Sequence, residues 1–61
     1  MSYCRTLTDN QVQNVLEDEA TRCRTITNHD KALYYEAREE CARRGYEPDE
    51  VLRERGVNKP K

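Results

Sequence analysis

NHDKALYYEAREECARRGY, residues 28–46, is the longest run of this chain with an unbroken helical rhythm. At about 100° per residue, Leu33, Tyr34, Ala37 and Cys41 fall in one apolar arc, and Glu36, Glu39 and Arg43 fall opposite it. Glu39–Arg43 and Glu40–Arg44 are acid-before-base pairs at i, i+4, and Arg43 and Arg44 suit the negative end of a helix dipole. Gly45 supplies the left-handed residue that ends a helix, with Tyr46 placed to fold back toward Cys41 in a Schellman-type stop. Thr27 or Asn28 is expected to cap the start. The stretch therefore predicts a helix over 28–44.

The chain before it contains a second such signal. In Leu7-Thr8-Asp9-Asn10-Gln11-Val12, Thr8 and Gln11 are spaced as a capping box, with Leu7 and Val12 at the flanking apolar positions. A helix over 8–23 follows, with Val12, Val15, Leu16, Ala20 and Cys23 on one arc. Glu19 falls inside that arc. Either its stem packs while the carboxylate reaches water or a base on the second helix, or it is a buried contact at a protein interface. The connector is short, so the two helices are antiparallel neighbours.

After Tyr46-Glu47, Pro48 stands at a first helical position with Asp49 and Glu50 behind it, and Gly56-Val57 repeats the stop signal. A brief third helix over 48–55 is predicted, with 1–6 a polar lead-in and 58–61 a loose tail. The fold class is all-α: one small domain, an antiparallel helical hairpin with a short third helix tucked against one end. Tyr35 lies off the main arc of the second helix, so it either packs on the third helix or stays exposed to meet a partner.

The 61 residues are 38% charged, with no Trp or Phe and a net charge of −1. Residues 1–30 carry net −2 and residues 31–61 net +1, so no global field draws nucleic acid or membrane. No stretch suits a transmembrane span or a signal peptide, and three cysteines without a CxxC suit a reducing cytoplasm. The apolar set is thin for a chain this short, which points to self-association or to docking on another protein.

Chemistry finds little support. Cys4, Cys23, His29 and Cys41 are the ligand types of a zinc site, but an antiparallel hairpin sets the Cys23–His29 end about 18 Å from the Cys41 end. Cys4 is expected near Cys41, with no native disulfide. His29 is expected as a solvated turn residue. The Glu17-Asp18-Glu19 run spreads around a helix and does not converge. No catalytic, cofactor or metal residue is assigned, and no small-molecule substrate is expected.

Cys41-x3-Gly45-x5-Val51 approximates the spacing of a helix-turn-helix, with Arg53, Arg55, Lys59 and Lys61 as the nucleic-acid contacts it would use. Asp49 and Glu50 would then face the phosphates, which makes DNA the lesser alternative. The favoured function is a non-enzymatic protein-interaction module, homo-oligomeric or bound to a host protein. Its candidate interface is Val12, Val15, Leu16, Glu19, Tyr34 and Tyr35.

The opening MSYCRTLT (residues 1–8), the charge-dense AREECARRG (37–45) and the lack of a catalytic motif resemble the small accessory proteins of the early regions of lambda-like phages. That resemblance implies early expression in a host cytoplasm and a role in modulating host or phage development. It carries over no functional residues.

Overall fold

Thr8 and Gln11 close the reciprocal pair that starts the first helix. The Gln11 amide donates to Thr8 Oγ1 at 3.2 Å, and the Thr8 amide donates to Gln11 Oε1 at 2.9 Å. The computed structural model describes residues 3–57, and these are all-α. A 3-10 turn, Tyr3–Thr6, precedes helices α1 (Asp9–Thr25), α2 (Ala32–Arg43) and α3 (Pro48–Glu54). The 58–61 tail falls outside the described residues.

Helix α1 runs two residues past Cys23, to Thr25, and ends where the Ile26 amide donates to the Arg22 carbonyl at 2.8 Å. Helix α2 starts at Ala32 and not at Asn28. Neither Thr27 nor Asn28 caps it; Asp30 Oδ1 accepts the Ala32 amide at 3.0 Å, which sets the start beyond Asp30. His29 is drawn out of the helix by a hydrogen bond to Glu19.

The stops of α2 and α3 are Schellman motifs. Gly45 sits at φ 90°, the Tyr46 amide donates to the Cys41 carbonyl at 2.9 Å, and the Gly45 amide donates to the Ala42 carbonyl at 3.1 Å. Gly56 at φ 80° repeats the pattern, with the Val57 amide on the Leu52 carbonyl at 2.9 Å.

Side-chain links give the directions. Arg44, just past the end of α2, reaches Asp9 at the start of α1, while Glu19 in the later half of α1 meets His29 ahead of α2. The two helices are therefore antiparallel. Helix α3 lies across this hairpin and not at one end. Asp49 at its start pairs with Arg38 of α2, and Arg55 just past its end bonds Gln13, Asn14 and Glu17 of α1.

Cys4, Val12, Leu16, Ala20, Ala37, Cys41, Val51 and Leu52 form the buried core, flanked by Leu7, Val15, Leu33, Tyr34 and Val57. The radius of gyration, 11.0 Å, is close to the roughly 10.5 Å expected for a compact chain of this length. The lead-in is thus not merely polar: Cys4 is fully buried, and its amide donates to Glu36 Oε2 at 2.8 Å. Glu36, expected on the solvated side of α2, serves this contact. Among the described residues no buried side-chain nitrogen or oxygen lacks a partner, as a closed core requires. No helix among them is long and apolar enough to cross a membrane.

Candidate functional site

Three elements meet to form a groove. Ala20, Cys23 and Arg24 come from α1 at i, i+3, i+4, and Lys31, Tyr34 and Tyr35 come from the start of α2 at the same spacing, so each trio shares a helix face. Leu52 and Val57 come from α3 and its stop. The groove has a volume of about 220 Å³. Its floor is buried Ala20 and Leu52, and Tyr35, 59% exposed, stands at its mouth. The Arg24 guanidinium donates to the Val57 carbonyl, fixing the far wall. A shallower depression beside it, lined by Thr21, Arg24, Thr25, Gly56 and Val57, shares that wall.

Tyr34 is held in place. Arg38 Cζ lies 5.6 Å from its ring centroid, and Arg38 Nη1 donates to Tyr34 Oη at 3.2 Å and to Asp49 Oδ1 at 3.0 Å. The Tyr35 ring lies 5.3 Å from that of Tyr34, tilted 55°. The arrangement presents one anchored and one exposed aromatic side by side.

The rim is positive. Arg22, Arg38, Arg43, Arg44, Arg53 and Arg55 each lie within 4.0 Å of a carboxylate. Among the described residues Arg5, Arg24 and Lys31 have no such partner, and two of these three line the groove, where no carboxylate is found. Lys31 also sits at the positive end of the α2 dipole, and α2 has no acid in its first turn. That placement is locally unfavourable.

No protein-family model, curated protein or solved structure matches the chain. Its own geometry therefore carries the functional argument.

The expected interface residues divide. Val12, Leu16 and Glu19 are buried in the chain's own core and present nothing to a partner, because α2 and α3 already cover that face of α1. Val15 is half-buried against the same core. Tyr34 and Tyr35 do come together at the groove, and α3 leaves Tyr35 mostly uncovered. Cys23 is legible in the sequence only as an apolar-arc residue of the first helix, and nothing in the sequence marks Arg24 or Lys31 as site residues. Arg24 and Lys31 approach only because the Ile26–Lys31 connector turns back, although a cation at a helix start is a signal once that start is placed.

The candidate chemical groups are engaged elsewhere. His29, expected in solvent, has a ring 20% exposed, and its Nε2 donates to Glu19 Oε1 at 2.7 Å. Glu17 pairs with Arg55, Asp18 with Arg22, and Glu19 with His29 and the same Arg22, so the acidic run does not face one site. Burial, and then the nearby Glu36 carboxylate, push the Cys4 thiol up to about 11; burial pushes Cys41 up as well. All three cysteines are free thiols, and the described residues hold no group of three or more His, Cys, Asp or Glu placed to share a metal ion. Of the expected nucleic-acid contacts, Arg55 is committed to α1 and Arg53 lies 3.5 Å from Glu50, while Lys59 and Lys61 fall outside the described residues.

Proposed function

We propose that the chain is a non-enzymatic helical protein-interaction module that docks a partner at the Tyr34–Tyr35 groove. The observation that carries this is Tyr35, a large aromatic left exposed beside an anchored one, at the mouth of a groove with an apolar floor. Aromatic side chains in such pockets are the usual anchors of protein interfaces. A non-enzymatic role is supported by the state of the reactive groups. The single histidine is bonded to Glu19, and two of the three thiols are buried and held protonated. The resemblance of MSYCRTLT and AREECARRG to early proteins of lambda-like phages supports a partner from a host cytoplasm.

The partner is a host protein in preference to a second copy, since the α1 face that would have supported self-association is covered by the chain itself. Purification of the tagged chain from its native cell should retain a partner that Tyr35→Ala loses. Light scattering should give a monomer mass. A strictly monomeric chain that retains no partner would count against the proposal.

DNA regulation through the turn at Gly45 is the alternative reading. A helix-turn-helix spacing supports it, but Asp49 and Glu50 open α3, and Arg55 is bonded to α1. A salt-dependent gel shift abolished by Arg53→Ala would favour it.

A further inference from the structure

We infer that the groove receives an acidic segment of another protein, one aliphatic or aromatic side chain entering between flanking carboxylates. The inference rests on the interaction function proposed above and names the chemistry of the partner. Charge complementarity is the first argument. Arg24 and Lys31 are left without carboxylate partners where most of the chain's described cations have one, and they flank a groove that no acid lines. The apolar floor of Ala20 and Leu52 is the second argument. A side chain seated on it displaces water from between the two cations, and the ion pairs then form in a lower dielectric.

Size is the third argument. At about 220 Å³ the groove has room for one large side chain, and the adjoining depression of about 390 Å³, which shares Arg24 and Val57 with it, leaves room for the flanking residues of a bound segment. A carboxylate beside Lys31 would also relieve the unfavourable placement of that cation at the start of α2. Nucleic acid is disfavoured by the net charge of −1 and by the commitment of Arg55 to α1.

The test is selection of random twelve-residue displayed peptides on the full immobilised chain. Enrichment of peptides rich in Asp and Glu around one apolar residue is expected. The best of them, made synthetically, should bind at least tenfold more weakly to Lys31→Glu, and more weakly to Lys31→Ala, both checked for fold by circular dichroism. The same peptide should shield Cys23, which lines the groove, from iodoacetamide. Enrichment of neutral or basic peptides, or affinity indifferent to both Lys31 variants, overturns the inference and leaves the interaction function standing. No enrichment also overturns it. If the chain then retains no partner from its native cell, the interaction function falls too, and binding of a single-stranded oligonucleotide instead would move the groove to nucleic acid.

Discussion

Arg44 Nη1 lies 2.6 Å from Asp9 Oδ1, tying the end of α2 to the first turn of α1. The same guanidinium donates from Nε to Glu40 Oε2 at 2.8 Å, and from Nη2 to the carbonyls of Leu7 at 2.8 Å and Cys4 at 3.2 Å. Asp9 in turn accepts the Tyr46 hydroxyl at 2.8 Å. One planar fork thus joins the lead-in, α1 and α2. A lysine cannot reproduce a fork of this kind. Arg44→Lys is expected to lower the melting temperature, and Arg44→Met to lower it further, by more than about 5 °C. The larger loss follows because Glu40, 6% exposed, keeps only Arg43 at 3.8 Å. Thermal unfolding followed by circular dichroism reads both, and an unchanged Arg44→Met melt would contradict the arrangement.

This junction also sets a pH response. The Tyr46 hydroxyl, and then Arg44, hold the Asp9 carboxyl below its usual 3.8. A folded value below the unfolded one means stability that is present above pH 3.8 and lost as pH falls through the lower folded value. On the alkaline side the signs reverse. Cys4 is raised from 9.0 to about 11, Cys41 is raised by burial, and Tyr46 is raised by its bond to Asp9. Their stability is fully present below the unfolded values and is lost as pH rises through the folded ones. Urea midpoints should therefore hold steady at neutral pH and decline from about pH 9 toward 11, and Cys4→Val should flatten part of that decline. A Cys4→Val chain with an unaltered alkaline limb would remove Cys4 as a cause.

The thiols differ in access as well. Cys4 and Cys41 are fully buried, whereas Cys23 is part-exposed at the groove. Reaction with a disulfide reagent at pH 8 should consume one thiol promptly. The other two should lag by roughly a hundredfold, because they wait for the core to open. Three equally fast thiols would mean that the lead-in does not pack as described.

Local signals were legible in the sequence, and contacts between distant residues were not. Thr8 with Gln11, Gly45 with Tyr46 and Gly56 with Val57 each act within six residues, so their spacing alone places three helix boundaries. The start of α2 lies four residues beyond the one that spacing predicts, because His29 answers to Glu19, ten residues back. Spacing shows Arg44 only as the partner of Glu40, and Arg55 only as a contact of the DNA alternative, yet each clamps α1 across more than thirty residues of chain. The Glu39–Arg43 pair expected from spacing gives way to Arg43 at 3.8 Å from Glu40. Glu19 is visible as an anomaly in the apolar arc, and its partner His29 lies within the predicted 28–44 stretch, though ahead of α2 itself. The groove lay beyond reach for the same reason, since it needs α3 laid across the hairpin.

Glu19 now gives a measurable expectation. Its side chain is 7% exposed, with His29 at 2.7 Å and Arg22 at 3.6 Å. His29→Ala removes the closer partner and leaves a buried carboxylate with a weaker one, at a cost of about 1–3 kcal/mol. Replacing both together, Glu19→Met with His29→Ala, should recover most of that loss, since an apolar group suits the site once no charge needs a partner. Chemical denaturation of the two variants decides it. A double variant less stable than His29→Ala alone would show that Glu19 has other partners in the fold.

Lys31 separates stability from binding. It stands at the positive end of α2, and its side chain makes no capping bond. Lys31→Glu puts an acid where the dipole favours one and should stabilise the chain by about 0.3–1 kcal/mol. At the groove the same change reverses one of two unpaired cations and should abolish capture of an acidic partner. A residue kept where local physics disfavours it is one whose presence answers to something outside the helix. Denaturant titration and peptide binding on the one variant measure both effects. If Lys31→Glu weakened fold and binding together, the loss of binding would reduce to a loss of structure, and the case for a cation kept for a partner would fail.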